Sequence, residues 1–230
     1  MKTIMAIGAH IGDMELTCGA YLASEYLKGN KIITVALTAG ERGNPPYMTP
    51  SEYRVQKVNE AKEFASMLGG EAVVLDYPDG ELPDNEKVRL EVANLMRKYK
   101  ADIVLTHFKN SLHKDHERCS KIVREAQLFA GIDMGDKVEG KAIYVPIYYC
   151  ENWEDKIGFD RYIMVDVTKG YELWCEAVKK HWFVTNSKDF KYYQYYTNLT
   201  AVVGALAKCE RAVAFDIDAF DKYVIKDSLL

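Results

Sequence analysis

Ile4-Met5-Ala6-Ile7-Gly8-Ala9-His10-Ile11-Gly12-Asp13-Met14-Glu15 is the stretch on which the reading of the fold turns. A short apolar run ends at a glycine. A histidine and two acids follow, and then helical spacing begins. Leu16, Ala20, Ala23 and Leu27 mark an apolar stripe over residues 14–28, closed by Gly29 and Asn30. This is strand, turn, helix, and the chain repeats it. Residues 31–37 are β-rich and lead into a polar loop over 38–50. Ser51 reads as the cap of a helix whose face is Val58, Ala61, Phe64, Ala65 and Leu68, stopped by Gly69-Gly70.

Two more units follow. Residues 72–75 read as strand, Tyr77 to Gly80 as a turn, and 84–100 as a helix with Val88, Val92, Leu95, Met96 and Tyr99 on one face. Residues 103–105 read as strand, a loop with three histidines comes next, and 117–130 is helical. Strands are expected at 143–149 and 162–167. Four βα units in a row predict an α/β fold, a Rossmann-like open and mostly parallel sheet with helices on both faces. The last 60 residues read as helical and aromatic-rich, with Tyr192, Tyr193, Tyr195 and Tyr196 as a packing or subunit-interface stripe. The expectation is one domain over residues 1–230, with a core over about 1–170 and a helical C-terminal appendage over about 171–230.

Composition narrows the function. The chain has 230 residues, 48% of them hydrophobic and 28% charged, as in ordinary soluble domains. Its net charge of −4 argues against a nucleic-acid partner. No run reaches the ~18–20 apolar residues of a membrane span, and the N-terminus reaches His10 without the apolar region of a secretory signal. A cytoplasmic protein is expected. Cys18, Cys119, Cys150, Cys175 and Cys209 are odd in number and widely spaced, so neither a disulfide framework nor a cysteine zinc knuckle is expected.

In open α/β sheets, ligands bind beyond the carboxyl ends of the strands. The loops there hold four of the five histidines: His10 after the first strand, and His107, His113 and His116 after the fourth. Gly8 and Gly12 do not make the dinucleotide fingerprint. A catalytic zinc takes three N/O protein ligands and leaves one position open. His10, Asp13 and one of His113 or His116 supply such a set, and the remaining histidine and Asp115 would orient groups or handle protons. Taken singly, Asp13 and Glu15 also suit a helix N-terminus.

These loops resemble the PIG-L/LmbE-like family of zinc-dependent N-deacetylases. The family's first signature, A-H-P-D-D-x-E-x-x-x-G-G, is matched by residues 9–20, and its H-x-D-H by His113-Lys114-Asp115-His116. Leu37-Thr38-Ala39-Gly40-Glu41-Arg42-Gly43 and Tyr77-Pro78-Asp79-Gly80-Glu81-Leu82 match two further segments. The likeness covers about the first 170 residues well. It implies zinc, or another divalent ion, on His10, Asp13 and His116. It implies His113 as oxyanion stabiliser or general acid and Asp115 as a partner that orients an imidazole. Glu41, Arg42 and Asp79 would line the substrate, an N-acetylated sugar-like small molecule. One departure from the pattern is serious. Where the family carries its general-base aspartate this chain has Gly12, and Ile11 replaces the proline. General-base action is worth about 10²–10⁴-fold, so Glu15, Asp115 and Glu41 become candidates to replace it. A carboxylate substituted at position 12 is expected to restore the base. The implied activity is hydrolysis of an amide C–N bond. The alternative is a non-catalytic metal- or ligand-binding protein of the same fold.

Overall fold

The computed structural model describes residues 1–155 and 157–222. The first half follows the alternation: β1 (Thr3–Gly8), α1 (Asp13–Thr17), α2 (Gly19–Leu27), β2 (Lys31–Thr38), α3 (Pro50–Met67), β3 (Glu71–Tyr77), α4 (Glu86–Tyr99), β4 (Ile103–His107) and α5 (Lys114–Gly131). Then come β5 (Ile147–Cys150), β6 (Ile163–Asp166), α6 (Tyr171–Val178), α7 (Trp182–Asn186), α8 (Tyr192–Ala207) and β7 (Ala212–Asp216). Among the described residues the strands form one sheet in the order β3-β2-β1-β4-β5-β7-β6. The first five strands pair in parallel, and β7 runs antiparallel to both β5 and β6. The chain winds outward from β1 to β3, then crosses to β4 on the other flank of β1. The carboxyl ends of β1 and β4 therefore bound the crevice where such sheets place ligands.

Period-two side chains divide the core between two faces. Met5 and Ile7 of β1 pack with Val88, Val92 and Met96 of α4 and Ile122, Val123 and Ala126 of α5. Ile4 and Ala6 face the other way, into Leu22 and Ala23 of α2, Trp174 and Val178 of α6, and Tyr196 of α8. The tyrosine stripe thus lies against the core, with Tyr196 buried and Tyr192, Tyr193 and Tyr195 partly so.

The structure refines the expected boundaries. The helix expected over 14–28 is broken at Cys18, because Trp174 Nε1 donates to the Glu15 carbonyl at 2.7 Å. In a continuous helix that carbonyl would accept from residue 19. Gly19 permits the approach, since a Cβ there would lie 2.5 Å from the indole. Helix α3 is capped by Thr49, not Ser51. The Thr49 hydroxyl accepts the Glu52 N–H, the Glu52 carboxylate accepts the Thr49 N–H at 2.8 Å, and Pro50 opens the first turn. Helix α5 starts earlier than expected, at Lys114. The segment after 170 is helical over α6, α7 and α8, and it also adds β7, buried along its length between β5 and β6. The core therefore extends beyond residue 170. Among the described residues no helix is long and apolar enough to cross a membrane.

Candidate metal centre

The turn after β1 folds back on itself. The Ala9 N–H donates to His107 Nε2 at 3.0 Å, and the His10 N–H to Asp13 Oδ2 at 2.7 Å. Gly12 reverses the chain at φ +104°, a conformation that L side chains rarely adopt. Its N–H donates to the Glu15 carboxylate at 3.0 Å. This geometry turns the Asp13 carboxylate inward. Its Oδ2 lies 3.2 Å from His10 Nδ1, 3.4 Å from His116 Nε2 and 3.0 Å from His107 Nε2. His107 ends β4. His116 sits in the first turn of α5, stacked on His107 with centroids 3.9 Å apart and on His113 at 4.6 Å.

His10 Nδ1 and His116 Nε2 are themselves 3.2 Å apart. Together with Asp13 Oδ2 they form a triangle with edges of 3.2, 3.2 and 3.4 Å. Around a zinc ion bound at about 2.0–2.1 Å, tetrahedral ligand atoms stand about 3.4 Å apart. The donor set therefore fits a divalent ion. The outward nitrogens face carboxylates, as metal-ligating imidazoles generally do. His10 Nε2 lies 3.1 Å from Asp79 Oδ1 and 3.6 Å from Asp115 Oδ2, and His116 Nδ1 lies 2.9 Å from Glu154 Oε2.

The electrostatics favour positive charge here. Burial pulls the His116 pKa down, but the Asp13 charge and Glu154 push it up to about 9. Burial likewise opposes charge on His10, yet Asp13, Asp115 and Asp79 raise it well above its ordinary value. Asp13 is held well below the usual carboxylate range against its burial, by His116 and His10. A cluster that retains protons in this way can exchange them for a metal ion. His113 differs. Burial and the neighbouring His116 and His10 charges lower its pKa. Its Nδ1 accepts the Asp115 N–H at 3.2 Å, so a neutral His113 carries its proton on Nε2 and is a donor there.

The other expected residues fall at different depths. Asp79 faces His10 through Oδ1, while its Oδ2 accepts the Arg42 backbone N–H at 2.8 Å. Asp115 Oδ2 accepts the Gly80 N–H at 2.7 Å. Glu41 accepts the Asp79 N–H at 3.0 Å and so braces the turn after β3. The Arg42 guanidinium turns to Glu81 at 2.7 Å. Glu15 is buried, with its pKa raised to about 7 mainly by desolvation, and it is committed to the Gly12 N–H.

A carboxylate at position 12 would require the Phe183 ring to shift. A Cβ on Gly12 would lie 2.4 Å from Phe183 Cζ. Three contributors were not assigned from sequence. His107 was visible among the loop histidines, and its role as acceptor for Ala9 appears only in three dimensions. Glu154 follows β5, so the rule that favoured the other strand-end loops also applied to it. Phe183 carried no signal, because an aromatic in a helical segment reads as packing.

The family model for PIG-L, GlcNAc-PI de-N-acetylase, matches residues 5–127. Diacetylchitobiose deacetylase of Thermococcus kodakarensis is 28% identical over 137 residues, 57% of this chain and 51% of that enzyme. The match thus spans about half the length of that curated relative. Among solved structures, the 4-carboxy-2-hydroxymuconate hydratase GalB of Pseudomonas putida KT2440 superposes with a TM-score of 0.84 at 20% identity, covering 100% of both chains. N,N′-diacetylchitobiose deacetylase of Pyrococcus horikoshii superposes with a TM-score of 0.79 at 21% identity, covering 99% of this chain and 88% of that one. At such identities the superpositions speak for the fold. The family match covers more than half of the chain and includes both histidine loops that form the cluster, and the protein belongs to the PIG-L family of GlcNAc-PI de-N-acetylases.

Proposed function

We propose that the protein is a metal-dependent hydrolase of an amide C–N bond that removes the acetyl group from an N-acetylated, sugar-like small molecule. The observation that carries this reading is the convergence of His10 Nδ1, Asp13 Oδ2 and His116 Nε2 within 3.2–3.4 Å of one another at the switch point of the sheet. These three residues would hold zinc, which supplies Lewis acidity to polarise an acyl oxygen and lowers the pKa of water to about 7.

The chain's own residues do the rest. Asp79 and Asp115 place negative charge beside the outer nitrogen of His10, and Glu154 does so beside that of His116. His113 presents its Nε2–H to the acyl oxygen as that atom gains negative charge. Asp115 Oδ1 has no hydrogen-bond partner among the described residues, which keeps it available for a proton. Asp79 and Glu41 shape the substrate side. Arg42 contributes its backbone N–H.

A second reading rests on Gly12. With no carboxylate at that position, addition of water to a carbon–carbon double bond stands as the other reaction to test, the type named for the hydratase whose fold this chain shares over its full length. The deciding experiment loads the protein with zinc and offers N-acetylglucosamine and diacetylchitobiose, with release of a primary amine as the readout. Amine release that is lost on chelation and returns with zinc supports the hydrolase. Consumption of an unsaturated hydroxy acid without amine release moves the assignment to the hydratase. Bound zinc with neither reaction leaves the binding-protein alternative.

A further inference from the structure

Gly12 and Phe183 meet with no room for a side chain between them. A Cβ on Gly12 would lie 2.4 Å from Phe183 Cζ and 2.6 Å from Cε1. Carbon atoms in contact normally stand about 3.5–4.0 Å apart. The ring is pinned. It stands edge-to-face on Tyr192 with centroids 5.1 Å apart, and Lys57 Nζ lies 4.9 Å from its centroid. Lys57 is buried, gives a single long hydrogen bond of 3.4 Å to the Gly40 carbonyl, and also faces the Tyr53 ring. The Phe183 ring therefore shields an ammonium that has few other partners, and displacing it would cost cation–π contact as well as packing. Trp182, the neighbouring residue on α7, stands edge-on to Tyr53 at 6.2 Å, and Val184 is buried. The short helix thus seats its residues on either side of the ring against aromatic and apolar neighbours.

We propose that Phe183 is the steric determinant that keeps a proton-accepting side chain out of position 12, and that Gly12 and Phe183 act as a coupled pair. Where the family signature carries an aspartate, this chain has Gly12 set against an aromatic ring. A smaller residue at 183 is the condition for any base at 12. The kinetic consequence rests on the hydrolase reading above, but the steric coupling does not.

The test is a double-mutant cycle of wild type, Gly12→Asp, Phe183→Ala and the combined variant, with Gly12→Ala and Phe183→Leu as a milder pair where the first set folds poorly. Thermal midpoint and amine release from N-acetylglucosamine are read on zinc-loaded protein. Backbone strain at φ +104° is common to both arms that alter Gly12 and cancels in the cycle. Gly12→Asp alone should lower the midpoint and gain no amine release. The combined variant should lose less stability than the sum of the singles, and it should release amine on the order of 10²–10⁴-fold faster than Gly12→Asp. Strictly additive midpoint losses overturn the pair. Coupled midpoints with zinc bound and no gain in rate overturn the exclusion of a base. Failure of wild type to bind zinc defeats the metal-site reading instead, and the midpoints then decide the pair.

Discussion

On one side of the turn after β1, Asp13 Oδ2 faces imidazole nitrogens of His10, His107 and His116 at 3.0–3.4 Å. One residue earlier, the Cα of Gly12 faces the ring of Phe183. The first side is assembled by loops that follow adjacent parallel strands. Such a sheet brings those loops to one edge whatever else the chain does. The second side is closed by α7, which arrives some 170 residues later and packs through aromatic contacts. One tight turn thus presents a polar cluster on one side and packs against a distant element on the other.

The largest effects should come from the polar side. His10→Ala, Asp13→Ala and His116→Ala should each abolish stoichiometric zinc binding, because two remaining ligands make a poor site. Elemental analysis after dialysis reads this directly, and full zinc retention in all three variants would break the assignment. His113→Ala should keep zinc and lower kcat by on the order of 10²–10³-fold. Loss of zinc from His113→Ala but not from His116→Ala would mean that the two histidines have exchanged roles.

Glu154→Gln should weaken zinc binding by about 10–100-fold, since an imidazole whose outer nitrogen loses its carboxylate is a poorer and less oriented ligand. A chelator competition against wild type measures it, and an unchanged affinity would remove Glu154 from the centre. Trp174→Phe tests the join between the C-terminal segment and the turn. It leaves the buried Glu15 carbonyl without its indole donor, which should cost about 1–3 kcal/mol. A shift of the urea midpoint reads it, and a midpoint equal to wild type would mean that the break at Cys18 has another origin. Arg42→Ala should change least. Its guanidinium pairs with exposed Glu81, so zinc affinity should stay at the wild-type value, and a clear loss would bring that side chain into the centre after all.

Much of this was legible in the residues. The strand-turn-helix alternation through residue 131 appears as β1 to α5, because period-two and period-3.6 patterns are local. His10, Asp13 and His116 lie together because the parallel sheet aligns the loops that carry them. What escaped was set by distant partners. The break at Cys18 depends on Trp174, which no spacing near residue 18 reveals. Strand β7, Ala212 to Asp216, is five residues long and follows helices, so only its pairing with β5 and β6 identifies it.

The sequence by itself determined the α/β class, the family and the two histidine loops, since each depends on residue type and spacing within a few turns of chain. It also established that position 12 carries no proton acceptor. Only the tertiary structure decided what stands in that place. The volume beside Gly12 is allocated by packing between α7 and the turn after β1, and close packing is settled by which side chains fill a space together in three dimensions, not by their order along the chain.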